Sequence, residues 1–273
     1  MQALKTWPLA ARRSITGVLT DIDDTLTTAG AITADALAAL TALQAAGLPV
    51  IAITGRSVGW SQPFALDWPL DAIVAENGAV AIFSIKKSPQ PNSDGRKLLS
   101  KLYQQDAAKR LANQARMQRV AGRVKAEVPG AVLAQDSAGR ETDIAIDHSE
   151  FVHLPPERIA QAMQIMRSEG MTASVSSIHI NGWFGAHNKL AGARWIVREL
   201  LGSDLDLEMN HWVYVGDSTN DQLMFEAFPN SVGVANIARF VPQLTHLPRY
   251  VAERERGAGF AEVAATLLAA RAV

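Results

Sequence analysis

The stretch 21-DIDDTLTTAG-30 sets three carboxylates, Asp21, Asp23 and Asp24, into four positions directly after an apolar run. Like charges this close repel, so the folded chain must give them a cation, a cage of hydrogen-bond donors or open water. The preceding run, Ile15-Thr16-Gly17-Val18-Leu19-Thr20, is short and rich in β-branched residues. It predicts a buried strand that delivers Asp21 at its carboxyl end.

Working outward, residues 33–46 read as a helix, with Thr33 at the N-cap and Gly47 as the stop. LPVIAITGRS then gives a second strand ending at Thr54, and DAIVAENGAV with AIFS gives a third and its hairpin partner. Strand, helix, strand with short links is the pattern of a parallel α/β sheet, which binds ligands beyond the carboxyl ends of its strands. Lys86 to Arg96 is polar, contains Pro89, Pro91 and Gly95, and reads as a linker or exposed loop. Lys97 to Val128 reads as one long helix, interrupted near Gly122. Extended segments at 131–135 and 142–148 follow, then a helix opened by Pro155 and Pro156, then MTASVSS and IHINGWFG. The order helix–strand–strand, twice, predicts two helices on one antiparallel sheet, inserted as residues 86–186. The parallel pattern resumes with a helix from Lys189 to Leu201, the strand HWVYVGDSTND, a helix at 222–227, the strand SVGVAN and the closing helix GAGFAEVAATLLAA. The expectation is an α/β, Rossmann-like core of residues 1–85 and 187–273, carrying the α+β insertion.

Composition narrows the function classes. Hydrophobic residues make up 48% and charged residues 19% of 273, enough for a sizeable core. A net charge of −1 gives no general attraction to nucleic acid or anionic membranes. The absence of cysteine excludes disulfides, thiolate metal sites and cysteine nucleophiles. No run approaches the roughly 20 apolar residues of a membrane span. The N-terminus carries Lys5, Arg12 and Arg13 but no uninterrupted apolar segment before Arg12, so no secretory signal and a cytoplasmic location are expected, with monomer and small homo-oligomer both open.

Four features share the ligand ends of expected strands: the Asp21 cluster, Thr54-Gly55-Arg56-Ser57, Lys189, and Gly216-Asp217-Ser218-Thr219-Asn220-Asp221. Singly each has a plain alternative, a helix cap, a solvated lysine or a turn; in this order they converge on one site. Together they resemble the haloacid dehalogenase superfamily of phosphohydrolases, whose motifs run DxDxT, S/T, K and GDxxND. The insertion between the second and third motifs resembles that superfamily's C2 type B cap, the branch of sugar-phosphate phosphatases and phosphomannomutases.

The resemblance implies a Mg²⁺-dependent phosphatase acting on a small phosphate ester, a sugar or polyol phosphate, through an aspartyl-phosphate. A phosphomannomutase-like phosphomutase is the alternative, and a non-enzymatic regulatory module is disfavoured by the intact acids. By the same resemblance Asp21 is the nucleophile, Asp23 the general acid–base, and Thr54 and Lys189 the phosphate-stabilising pair. Asp21, the backbone carbonyl of Asp23, and Asp217 hold the metal, with Asp221 completing or orienting its shell and Asn220 assisting. Asp24 is assigned no chemistry. Gly55 and Arg56 extend the second motif toward substrate, Arg56 against a surface salt bridge. Asn77, in Glu76-Asn77-Gly78, is a pocket residue or a hairpin turn. In the insertion, Ser177, His179 and Asn181 alternate on one face ahead of Trp183, forming an active-site roof or a solvated face. Arg140 is a further specificity candidate, His187 a helix cap, and Met163 to Met166 core.

Overall fold

The computed structural model describes residues 1–85 and 98–271, so the linker expected at 86–96 lies outside the described residues. Strand β1 (Gln2–Ala3) and helix α1 (Leu9–Arg13) precede β2 (Gly17–Thr20), all four of whose residues are buried. A small hairpin, β3 (Thr27–Thr28) with β4 (Ala31–Ile32), follows the acid cluster. The chain continues through α2 (Ala34–Ala45), β5 (Val50–Ile53), α3 (Val58–Asp67), β6 (Ala72–Ala75), β7 (Val80–Ile85) and β8 (Leu98–Tyr103). The insertion comprises α4 (Ala107–Glu127), β9 (Val132–Leu133), β10 (Asp143–Asp147), α5 (Pro156–Ser168), β11 (Thr172–Val175) and β12 (His179–Trp183). The return runs through α6 (Lys189–Leu201), α7 (Leu205–Glu208), β13 (Trp212–Gly216), α8 (Gln222–Ala227), β14 (Ser231–Gly233), β15 (Tyr250–Val251) and α9 (Arg256–Arg271).

The main sheet has nine strands in the order β1-β15-β14-β13-β2-β5-β6-β7-β8. Pairing is parallel from β1 to β6 and antiparallel at β7 and β8. From β2 the chain winds outward through β5 and β6, then returns to the other side of β2 through β13 and β14. The strand order thus reverses at β2, and the crevice between the carboxyl ends of β2 and β13 is where such sheets bind ligands. Asp21 follows β2 and Asp217 follows β13, so both stand at that crevice. One apolar layer packs α2 and α9 on one face (Leu40, Leu43, Phe260, Leu267); another packs α6 and α8 on the opposite face (Ile196, Val197, Met224, Phe225).

The cap is a separate four-stranded antiparallel sheet, β11-β12-β10-β9, with α4 and α5 on one face. Strand alternation decides what faces what. Ile144, Ile146 and Ile180 pack under Val124, Ile165 and Met166, so Ile165 and Met166 are core as expected, while Met163 is half-buried beside them and Gln164 is exposed. Asp143, Asp147, His179, Asn181 and Trp183 take the opposite face, aimed at the main sheet.

One segment differs from expectation. Residues 97–128 are not a single helix: Leu98–Tyr103 is a strand paired antiparallel with β7, and α4 starts only at Ala107 and runs unbroken past Gly122. The local Leu/Lys content favours helix, but long-range pairing with β7 overrides it. Asp106 marks the true start, its side chain accepting from the Lys109 N–H at 2.8 Å. Because β8 belongs to the main sheet, we place the start of the cap after Tyr103 rather than at residue 86.

Candidate active site

Three acids meet at the floor of the crevice. Asp21 is anchored by its N–H to the Val215 carbonyl at 2.9 Å, tying the end of β2 to β13. Lys189, at the first turn of α6, bridges Asp21 Oδ1 at 2.9 Å and Asp221 Oδ1 at 2.7 Å. The position of α6 depends on a close backbone approach. A Cβ on Gly192 would lie 2.6 Å from the Gly78 Cα, and Gly78 itself has φ +103°. Only glycines let the helix pack against the β6–β7 turn and hold Lys189 over Asp21. Gly216 plays the same part for Asp221, since a Cβ there would meet its carboxylate at 2.5 Å.

Oxygen ligands of Asp21, Asp217 and Asp221 lie within 4.8 Å of one another, all buried. Burial pushes Asp21 up to about 7; Lys189 opposes the shift and Asp221 adds to it. Burial, then the charges of Asp221 and Asp21, push Asp217 well above the usual carboxylate range. Burial works against the Lys189 charge too, but Asp21 and Asp221 outweigh it and raise its affinity for the proton. Asp217 Oδ2 accepts from Asn236 Nδ2 at 3.0 Å, while its Oδ1 has no hydrogen-bond partner among the described residues. A buried, unpartnered carboxylate oxygen among further carboxylates matches the donor set that Mg²⁺ prefers. Asp221 differs. Its Oδ1 accepts from Lys189 and the Tyr214 hydroxyl, and its Oδ2 from the N–H groups of Asp217 and Ser218 at 2.9 and 3.1 Å. Four donors fill its lone pairs, so of the two roles expected for Asp221 the geometry favours orienting the shell.

Thr54 is fully buried, and its Oγ1 accepts from the Arg56 N–H at 3.1 Å, leaving the hydroxyl proton to donate. Arg56 is not a surface salt-bridge partner. It is 4% exposed, its Nε reaches both oxygens of Asp23 at 2.9 and 3.0 Å, and its Nη atoms grip Glu150 of the cap at 2.8 and 3.2 Å. His179 completes this chain, its Nε2 lying 2.8 Å from Glu150. Asn181 donates to the Gly55 carbonyl at 3.2 Å and to Asp143 at 3.1 Å. The cap face at 177–183 is therefore not a solvated sheet face but lies against the second motif. Asn77 holds a left-handed φ of +55° in the turn between β6 and β7, so it is both hairpin residue and buried site neighbour. Asn220 accepts from the Ser218 hydroxyl at 2.9 Å and lines, with Asn77 and Lys189, a cavity of about 460 Å³ under β11. A second cavity, of about 560 Å³, lies beside Asp23, Arg56 and Glu150.

Two expectations need correcting. Arg140 is locked between Asp136, Asp143 and the Gly55 carbonyl, at 2.7–3.0 Å, which leaves its guanidinium occupied in joining cap to core. His187 does not cap α6: Asn188 does, accepting from the Ala191 N–H at 2.8 Å. His187 instead stacks on Trp183 with ring centroids 5.5 Å apart, and burial depresses its pKa to about 4.

The sequence reading missed three partners, Glu150, Tyr214 and Asn236, and what a fourth residue, Glu76, binds. Glu150 and Tyr214 have no motif of their own. Asn236 binds Asp217 and the Asp24 carbonyl from the end of β14, and its place as a polar residue just past a strand was the available signal. Glu76 accepts from the Val58, Glu141 and Thr142 N–H groups and the Thr142 hydroxyl, a cap–core clasp that only the tertiary structure reveals.

Residues 18–120 match the family model of haloacid dehalogenase-like hydrolases. A phosphoglycolate phosphatase of Methanothrix thermoacetophila is 26% identical over 91% of this chain and 95% of its own length. Among solved structures, a Thermoplasma acidophilum protein superposes with a TM-score of 0.68 at 16% identity, covering 95% of this chain and 99% of that one. The sucrose-phosphatase of Synechocystis, solved with sucrose and phosphate, superposes at 0.62 and 16% identity, covering 93% and 98%. These two likenesses are of fold.

Proposed function

We propose that this chain, which matches the haloacid dehalogenase-like hydrolases over residues 18–120 and is similar to a phosphoglycolate phosphatase, is a phosphatase of small phosphorylated metabolites that hydrolyses a sugar or polyol phosphate with Mg²⁺, through an aspartyl-phosphate on Asp21. The observation that carries this reading is the meeting of Asp21, Lys189 and the unpartnered Asp217 Oδ1 at the strand-order reversal.

Asp21, fixed by its backbone bond to β13, attacks phosphorus with one carboxylate oxygen, and the bond to the ester oxygen breaks. Asp23 gives the departing alkoxide its proton. It then takes one from the water that attacks the aspartyl-phosphate, which releases inorganic phosphate and restores Asp21. Arg56 holds the Asp23 carboxylate in orientation for both steps. Lys189 and the Thr54 hydroxyl balance charge on the transferring oxygens. Asp21, Asp217 and the Asp23 carbonyl would hold Mg²⁺, which supplies charge neutralisation to the phosphoryl group.

The test is phosphate release from a panel of sugar, polyol, glycerate and nucleotide phosphates, wild type against Asp21→Asn. Asn keeps the shape and loses the charge, so turnover should vanish while the thermal transition persists. More than a few per cent residual activity would refute covalent catalysis, and isomerisation without phosphate release would establish a mutase instead.

A further inference from the structure

The cavity of about 560 Å³ lies between the 27–31 hairpin of the core and the 149–151 loop of the cap. Asp23 lines it, and a proton donor must stand within hydrogen-bond reach of the oxygen it protonates. The departing alcohol therefore belongs on this side. Three features define what the cavity receives.

Ser177, in the roof, is 7% exposed, lines the cavity, and its hydroxyl has no hydrogen-bond partner among the described residues. Its neighbours His179 and Asn181 are already paired with Glu150 and Gly55, and of the roof's unpartnered serine hydroxyls among the described residues, Ser174 lines the other cavity and Ser177 this one. At the rim, Arg239 and Arg256 converge on one carboxylate, Asp24, at 3.2 and 2.9 Å. Two guanidiniums against one acid leave surplus positive charge at the rim, and both residues line the cavity. The opposite end is the reverse, with Arg56 shared between Asp23 and Glu150. Finally, Arg256 holds φ +54°, a conformation that a side-chain-bearing residue keeps only when its surroundings impose it. Its N–H donates to Asn236 Oδ1 at 2.8 Å, and the same asparagine binds Asp217. The arginine pair is thus built onto the reaction site.

We propose that this cavity is the leaving-group subsite and that it selects phosphate esters whose alcohol carries a second anionic group. Arg239 and Arg256 bind that carboxylate or phosphate, and Ser177 bonds an oxygen of the same alcohol. The inference rests on the phosphatase reading and narrows its sugar or polyol phosphate to an acidic one.

The experiment compares kcat/KM for phosphoglycerate (a carboxylate), fructose bisphosphate (a second phosphate) and glycerol phosphate (neither), in wild type, Arg239→Gln and Ser177→Ala. Wild type should prefer one of the acidic esters, and which one distinguishes carboxylate from phosphate. Arg239→Gln should cut the acidic-to-neutral selectivity ratio about tenfold, through KM, as expected for one lost charge-assisted hydrogen bond. Ser177→Ala should lower kcat/KM for the acidic ester. In the non-turnover Asp21→Asn protein, the rise in Tm given by the preferred acidic ester should be lost on adding Arg239→Gln. A wild-type preference for glycerol phosphate, or an equal loss on acidic and neutral esters, overturns the inference and leaves the phosphatase reading standing. No phosphate release from any ester, p-nitrophenyl phosphate included, overturns both.

Discussion

Asp217→Asn should make the metal-free protein more stable while abolishing its response to Mg²⁺. The Asp217 carboxylate is fully buried, with one oxygen on Asn236 and the other unpartnered among the described residues. Its ligand atom lies within 4.8 Å of those of Asp21 and Asp221, and the Lys189 ammonium sits on those two acids instead. At 4.8 Å and an effective dielectric near 20, one like-charge pair costs about 3.5 kcal/mol. Proton uptake caps the penalty, because protonating a carboxylate of ordinary pKa 3.8 at pH 7 costs about 4 kcal/mol. Asparagine removes the charge, keeps an oxygen for Asn236, and should recover about 3 kcal/mol. For a chain of this length that raises Tm by roughly 6 °C in EDTA. Wild type should gain stability on adding Mg²⁺, about 2.7 kcal/mol at a hundredfold excess over Kd, and the variant little. Thermal melts of both proteins, in EDTA and in Mg²⁺, read both effects. A variant that melts below wild type in EDTA, or that shifts as far as wild type with Mg²⁺, refutes the cation-site assignment.

Arg56→Met should destabilise the protein by about 3–5 kcal/mol, because it leaves Asp23 and Glu150 facing each other without their shared cation; denaturant unfolding measures this, and a loss under 1 kcal/mol contradicts it. His187→Phe preserves the stack on Trp183 and should remove an acid sensitivity. The folded pKa of His187 is depressed from 6.5 to about 4, so the unfolded chain binds a proton in that window that the folded one does not. Stability from this group is therefore present above pH 6.5 and lost as pH falls toward 4, by about 3 kcal/mol in all. The variant should gain on wild type as melts move from pH 7.5 to 4.5, and a constant difference between the two rules this out.

The strand-end site residues were legible because motif spacing and strand ends are local properties: Asp21, Thr54 and Asp217 each follow an apolar run whose buried character the sequence displays. The parallel core and the two helix–strand–strand units of the cap followed from the same periodicities. Leu98–Tyr103 was not legible, because its strand state comes from pairing with β7, which no local pattern encodes. Arg140 was misjudged, and the partners of Arg56 were missed, for a related reason. An arginine's partners arrive from distant segments, here Glu150 for the first and Gly55 for the second, and burial of a guanidinium becomes affordable only once they are in place. Asp24 was set aside for want of a motif role, and its two arginines, 215 and 232 positions further on, restored it.

Roof and floor meet through polar groups, and this bears on how the cap moves. The cap's apolar cluster is separate from the two that flank the main sheet, so parting the domains exposes little core. Opening breaks hydrogen bonds and ion pairs, which water replaces at a net cost of about 0.5–1.5 kcal/mol each. They are not equivalent. Cap register sets Asp143 opposite Trp183 and Asp147 opposite His179. Glu76, which grips residues 141 and 142, therefore lies toward the chain crossing that follows Trp183, while the Arg56–Glu150 pair lies at the far end, beside Asp23. A cap rotating about its crossings separates its far end most, so the bonds that break first are those bordering the leaving-group cavity. Glu150→Gln should then speed amide hydrogen exchange in 149–153 and leave 141–143 near its wild-type rate. An equal rise in both segments would mean that the cap lifts as a whole, and that the Glu76 clasp is no pivot.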